Sequence, residues 1–263
     1  MFRLTREVRF AANPPDDPQL GGPPTNGYAG FPSVTGFGPF LSLQVTLSGP
    51  LDPVSSYLIN IKQIDATVRE LAIPLVAKAA HGGIPARPTQ LVGKLYERLQ
   101  AWRPLVLEEL KLNLSPFLCV STRVSEHPMV RLSQKFEFSA THRLHNPNAS
   151  EAENRRIFGK CNNPHGHGHN YEVQVTLVGE PDRNGQLMEV PEFERIVGQT
   201  VISRFDHKNL NVELPEFREL IPTVENIAMV IHRALKPMFH DQPARLASVI
   251  VWETPKTWCE YSE

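Results

Sequence analysis

An α+β fold built from two successive ββααββ modules is what this 263-residue sequence predicts, and three observations carry the prediction. The chain matches itself: Leu43-Gln44-Val45-Thr46-Leu47-Ser48-Gly49 returns as Val173-Gln174-Val175-Thr176-Leu177-Val178-Gly179 at an offset of 130, the mark of an internal repeat. Both copies alternate apolar and polar residues with the period of a half-buried strand. Pro88-Thr89 and Pro222-Thr223 each stand before a helical pattern, with threonine placed to cap it.

The elements follow in order. Val8-Arg9-Phe10-Ala11-Ala12 reads as a first strand and echoes Phe136-Glu137-Phe138-Ser139-Ala140. Asn13 to Pro39 holds Pro14-Pro15 and Gly21-Gly22-Pro23-Pro24 without periodicity, a loop. A second strand ends at Gly49, and helices are predicted over Ile61–Ala80 and Gln90–Leu107. The strand Leu110-Lys111-Leu112-Asn113-Leu114 parallels Val249-Ile250-Val251-Trp252-Glu253. Residues 1–122 form the first module, 123–134 a linker and 135–263 the second module. There, a strand runs from Lys135 to His142, a long loop fills 143–166, and a strand continues past Tyr171. Helices are predicted over Pro191–Phe205 and Val224–His240. The offset drifts from 128 through 134 to about 139, as it does when loops change length between persistent elements.

The run from Cys161 through Asn162, Asn163, Pro164, His165, Gly166, His167, Gly168 and His169 packs a thiol and three imidazoles into nine positions. Side chains two apart on a strand share a face and stand about 7 Å apart, so two of these imidazoles can converge on one metal ion. His142 ends the row Phe136, Phe138, Ala140 on its own strand and is the candidate third ligand. Taken alone, such a histidine is an ordinary core residue. Beside a His-x-His strand it completes three imidazoles with a fourth position open, the arrangement of a catalytic zinc.

A formal charge of −1 offers no basic surface for nucleic acid or anionic membrane. Three scattered cysteines, Cys119, Cys161 and Cys259, argue against a disulfide framework and for a reducing cytoplasm. The first residues lack the apolar core of a signal peptide, and no apolar run approaches the ~20 residues of a membrane-spanning helix.

Seven segments in order carry a resemblance over residues 133–263: Phe138–Leu144, Phe158–Asn163, Gly166–Tyr171, Leu187–Phe193, Asp206–Leu210, Pro222–Asn226 and Val251–Thr254. They resemble the 6-pyruvoyl-tetrahydropterin synthase family, which includes the 6-carboxy-tetrahydropterin synthases of queuosine biosynthesis. The resemblance implies a tandem T-fold, whose antiparallel sheets join in a homo-oligomeric barrel with helices outside. It implies a zinc site of His142, His167 and His169, leaving His165 as an extra. It implies Cys161 as catalytic base, Asp206 and His207 as a proton-relay pair, Glu253 as the anchor of a pterin ring, and Thr223 and Glu225 along that ring's edge. Arg143, Lys160 and Lys208 are candidate cations for a triphosphate. Cys161 lies six residues before His167, the spacing of the pyruvoyl-forming branch. The implied activity is elimination of triphosphate from 7,8-dihydroneopterin triphosphate, with a carboxy-forming lyase as the alternative and a non-catalytic pterin-binding scaffold as the reading from another class.

Against that frame the first module is emptied. At offset 130 Phe37 and Pro39 stand for His167 and His169 and Phe31 for Cys161, and as the offset drifts Pro14 stands for His142 at 128 and Leu114 for Glu253 at 139.

Overall fold

Alternation and helical period become strands and amphipathic helices in this computed structural model, which describes residues 1–14, 30–84, 86–100, 102–240 and 243–263. Most of the loop expected between Asn13 and Pro39, residues 15–29, lies outside the described residues. Two compact units are formed, Met1–Leu132 with Val178–Leu187, and Ser133–Leu177 with Met188–Glu263.

In the first unit the sheet order is β1 (Phe2–Ala11), β2 (Phe40–Gly49), β3 (Val106–Asn113), β4 (Leu118–Arg123). β1 and β2 pair antiparallel over their full length, from Phe2 opposite Gly49 to Ala11 opposite Phe40. The strand faces bearing Val8, Phe10, Leu43, Val45, Leu110 and Leu112 are buried. Against them pack Ile64, Val68, Leu91 and Leu95 from the helices. Helical structure runs through α1 (Ile61–Thr67), a π turn (Val68–Ala72) and α2 (Ile73–Ala80). Asp65, buried on α1, takes two 2.8 Å hydrogen bonds from Arg6 of β1, so a paired charge ties helix to strand.

The helix expected over Gln90–Leu107 is α3, Pro88–Arg98. Leu99, Trp102, Leu105 and Leu107 keep an apolar spacing that mimics a helix. Pro104, however, disfavours helical backbone at Arg103, and Leu99 closes the last turn at φ −92° and ψ 21°. At the other end, the Thr89 hydroxyl and the Gln90 N–H donate to the Gly185 carbonyl, at 2.6 and 3.2 Å. Gly185 has φ +78°, and a Cβ there would meet Gln90 Cβ at 2.6 Å, so only glycine fits this approach.

In the second unit the order is β5 (Val130–His142), β6 (His167–Gly179), β8 (Arg245–Thr254), β9 (Thr257–Tyr261), and the short β7 (Lys208–Asn209) pairs with β5. The chain turns between β4 and β5 over 124–129, a shorter connection than the 123–134 read from sequence. Helical structure runs through α5 (Val190–Val197), a π turn (Gly198–Ile202) and α6 (Ser203–Phe205), followed by α7 (Leu210–Glu213) and α8 (Val224–Leu235). α4 (Glu151–Phe158) lies in the long loop before β6. Phe138 stacks on Tyr171 with ring centres 4.9 Å apart and also meets Phe205 at 5.4 Å. With Val173, Val175, Val249 and Val251 these rings form the core beneath α8, where Ile227, Ile231 and Leu235 are fully buried. Among the described residues no helix is long and apolar enough to cross a membrane.

Candidate metal centre

Strand parity places the candidate ligands. On β5 the buried residues Phe138, Ala140 and His142 share a face, while Thr141 is exposed. On β6 the row His167, His169, Tyr171, Val173 faces the same core. Glu253 continues the buried row Val249, Val251 on β8, at a point where the pairing with β9 shifts register between Trp252 and Thr254. Strand parity alone thus places the carboxylate on the face of the neighbouring imidazoles.

The result is a group of four, His142, His167, His169 and Glu253, whose ligand atoms all lie within 4.8 Å of one another. His142 Nε2 is 3.1 Å from His167 Nε2 and 3.3 Å from Glu253 Oε1, and His169 Nε2 is 3.6 Å from the same oxygen. Nitrogen ligands at tetrahedral positions around a zinc-sized ion stand about 3.3 Å apart, so these spacings suit one ion.

The protonation states agree. His142 Nδ1–H donates to the Pro222 carbonyl at 2.7 Å, leaving the Nε2 lone pair aimed into the group. Burial pushes the His142 imidazole down to about 4, with the neighbouring His167 and His169 adding to the effect. Burial and His169 also lower His167. A neutral His142 makes no ion pair with Glu253, so acceptors face acceptors. His169 Nε2 and His167 Nδ1 are buried without a hydrogen-bond partner among the described residues. A cation satisfies such a set, and the neutral imidazole is the form that ligates it. These residues fit a divalent metal.

Two features support the group from behind. Tyr171, fully buried, has its hydroxyl 3.3 Å from His142 Nδ1, and burial together with the Glu253 charge holds its phenol protonated. Gly166 has φ +72°, and a Cβ there would lie 3.0 Å from the His142 carbonyl. Sequence reasoning used Tyr171 only to mark a strand, although its parity already placed it with the ligands. The Pro222 carbonyl leaves no trace in residue type.

The other expected residues are placed separately. Cys161 sits in a 3-10 turn (Gly159–Asn162), a free and half-buried thiol whose carbonyl accepts from Leu144 N–H at 2.9 Å. Buried Asn162 pins this turn, donating to the Leu144 carbonyl and to His145 Nδ1. Asp206 and His207 form a dyad, His207 Nδ1 to Asp206 Oδ2 at 2.8 Å. Ser139 N–H donates to Asp206 Oδ1 at 2.9 Å, and this bond, with that of His207, holds the carboxyl below the usual carboxylate range. His207 has φ +57° and donates its N–H to the Ser139 carbonyl. Its side chain is 83% exposed, and no contact among the described residues joins the dyad to the histidines. His207 and His169 nevertheless line the same open cleft of about 640 Å³, with Ser139, Thr141, Asn170, Lys208 and Glu213 around it. Thr223 caps α8, its hydroxyl accepting from Asn226 N–H at 3.4 Å, and Glu225 is an exposed acid of the first turn. His165 is exposed and outside the group.

Comparison with known proteins bears on the same half. The family model for 6-pyruvoyl tetrahydropterin synthase matches residues 131–263. The 6-pyruvoyl tetrahydrobiopterin synthase of Drosophila melanogaster is 40% identical over 139 residues, spanning 52% of this chain and 82% of that protein. The Homo sapiens protein of the same name is 42% identical over 102 residues, 38% of this chain and 70% of its own. A 6-carboxy-5,6,7,8-tetrahydropterin synthase of Haemophilus influenzae is 27% identical over 156 residues, 51% of this chain and 100% of its own. The solved structure of Caenorhabditis elegans 6-pyruvoyl tetrahydropterin synthase is 36% identical with a TM-score of 0.49, covering 52% of this chain and 96% of that one.

Proposed function

Because the chain belongs, through residues 131–263, to the 6-pyruvoyl tetrahydropterin synthase family, we propose that it is a metal-dependent lyase releasing triphosphate from 7,8-dihydroneopterin triphosphate and isomerising the side chain to a diketone. The observation that carries this reading is the convergence of three imidazoles and a carboxylate with His142 locked as a neutral ligand. His142, His167 and His169 would hold a zinc ion, which supplies Lewis acidity to the side-chain oxygens of the substrate.

The chain's own groups then do the proton work. The Cys161 thiolate removes a proton from a side-chain carbon that bears a hydroxyl. The electron pair released expels triphosphate as its C–O bond breaks, and no net oxidation occurs. Asp206 orients His207 and stabilises its charged form, and His207 passes protons to and from the substrate. Since the dyad faces outward, it is suited to a site that a neighbouring copy completes, in line with a homo-oligomer. Glu253 has two oxygens and accepts in parallel from the N3–H and 2-amino group of a pterin, with Glu225 and Thr223 near the ring edge.

Residues 1–122 are read as a T-fold copy that kept its fold and lost its chemistry. The neighbour orders β1-β2-β3-β4 and β5-β6-β8-β9 support this, as do Phe31, Phe37 and Pro39 in place of thiol and imidazoles. Cys119, Cys161 and Cys259 are in no disulfide, which suits a reducing cytoplasm.

Mass spectrometry of 7,8-dihydroneopterin triphosphate incubated with the purified protein tests the reading. The expected result is a pyruvoyl-pterin and free triphosphate, abolished by a chelator and restored by zinc. A carboxy-pterin would move the chain to the branch of the Haemophilus relative. Unchanged substrate with metal present in the protein would refute both.

A further inference from the structure

A second cleft, of about 600 Å³, opens where β5 and β6 leave the metal centre. Arg143 follows His142 directly and His165 stands two positions before His167; both line this cleft, together with His145 and Arg218. Glu219 is the single carboxylate on its wall, so two guanidiniums face one acid. Among the described residues no carboxylate pairs with Arg143, His145, His165 or Arg218, and the side chains of His165 and Arg218 have no hydrogen-bond partner.

The inner groups are fixed before any ligand arrives. Asn211 accepts the Arg143 N–H at 2.7 Å and donates its amide to the Arg143 carbonyl at 2.9 Å. Two guanidinium N–H groups of Arg143 go to Asn162, at 3.1 and 3.5 Å, which leaves the rest of its donors uncommitted. Three contacts orient the Asn162 amide: its oxygen accepts from Arg143, and its nitrogen donates to the Leu144 carbonyl at 2.8 Å and to His145 Nδ1 at 3.0 Å. A neutral imidazole that accepts at Nδ1 carries its proton on Nε2, so His145 is a donor there. Held donors with excess positive charge suit an anion with several oxygens. The apolar wall of Phe217 and Ile221 limits screening by water.

We propose that this cleft binds a polyphosphate, with Arg143 and Arg218 neutralising its charge and the imidazoles of His145 and His165 donating to its oxygens. The anion chemistry comes from the cleft; the choice of triphosphate rests on the reaction proposed above. Asn209 lines both this cleft and the one that holds His169 and His207, so the two share a wall along which a phosphate tail passes from one to the other. The cations expected from sequence then divide. Arg143 belongs to the cleft, Lys208 is paired with Glu213 at 2.9 Å, and Lys160 lies off this wall. Asn162 also pins the Cys161 turn, so one side chain ties the occupant's donors to the thiol.

Isothermal titration calorimetry with inorganic triphosphate on the full, metal-loaded chain tests the site, with zinc content measured before and after. The wild type is expected to bind, more weakly as salt rises. His165→Gln with Arg218→Gln, both exposed, should weaken binding about tenfold or more, the worth of a hydrogen bond to a charged group, with circular dichroism and zinc content unchanged. Glu219→Gln removes the cleft's acid and should tighten binding. Kinetics with 7,8-dihydroneopterin triphosphate identify the source. A KM raised about tenfold at constant kcat in the double variant makes the occupant the substrate's own tail. An unchanged KM with lost inhibition by free triphosphate makes it a separate phosphate ligand, and either result keeps the site. No binding by the wild type overturns the inference, as does equal binding by the double variant, with triphosphate on the metal alone. Calorimetry needs no turnover, so a chain that binds triphosphate without acting on the pterin keeps this site and loses the lyase.

Discussion

His142 does three things at once, and each depends on a different neighbour. Strand parity aims it at His167, the Pro222 carbonyl fixes its tautomer, and burial keeps it neutral. Its folded value of about 4 lies below the ordinary 6.5, so the folded protein resists protonation that the unfolded chain accepts. Stability from this source is intact above 6.5 and is lost as pH falls toward 4. For metal-stripped protein the loss should be on the order of 3 kcal/mol between pH 7 and pH 4, read from urea midpoints, and His142→Asn should flatten the dependence. A second prediction concerns the thiol. Cys161→Ala should lower kcat by roughly 10²- to 10⁴-fold with metal content unchanged, because the thiol lies outside the four-residue group; loss of zinc by elemental analysis would make Cys161 a ligand instead. The three imidazoles were legible in the sequence since period two is enough to place them. The approach of Glu253 to His142 was not, because it brings together side chains of two strands far apart in sequence, and parity within one strand does not say which strands come together.

At the scale of elements, the long loop before β6 is held by local devices that can be removed singly. Ser150 and Glu153 form a reciprocal capping box at the start of α4. Ser150→Ala should cost about 1 kcal/mol locally, seen as faster amide exchange through α4, and should lower kcat by loosening the Cys161 turn. Gly166→Ala sets a Cβ at a left-handed position 3.0 Å from the His142 carbonyl. It should destabilise by about 1–2 kcal/mol and reduce zinc occupancy, both absent if the loop simply shifts. Helices with a proline-threonine start were plain in the sequence, but only Thr223 caps its helix, since α3 begins at Pro88 with Arg87 at its cap and Thr89 inside; α8 and its 3-10 extension (Lys236–Phe239) fill the expected span. The end of α3 was hidden because apolar spacing continues past Arg98, and only the proline argues against it. The outward position of the Asp206-His207 dyad was hidden too, since it rests on Ser139's backbone.

For the molecule as a whole, metal and fold should be linked. An ion that binds only the folded chain stabilises it by mass action, so chelation should lower Tm by several degrees, with zinc restoring it; an unchanged Tm would mean that His142, His167 and His169 hold no ion in solution. Two helical runs in this chain are also interrupted by a five-residue π turn, Val68–Ala72 in one and Gly198–Ile202 in the other, 130 positions apart like the strands that precede them. Apolar periodicity asks for no such interruption, and a π turn is a rare irregularity inside an α-helix. Two unrelated stretches can arrive separately at the same regular helix, because hydrophobic patterning alone leads there. A shared flaw at the same place is better accounted for by inheritance, as a copied misprint betrays a common manuscript.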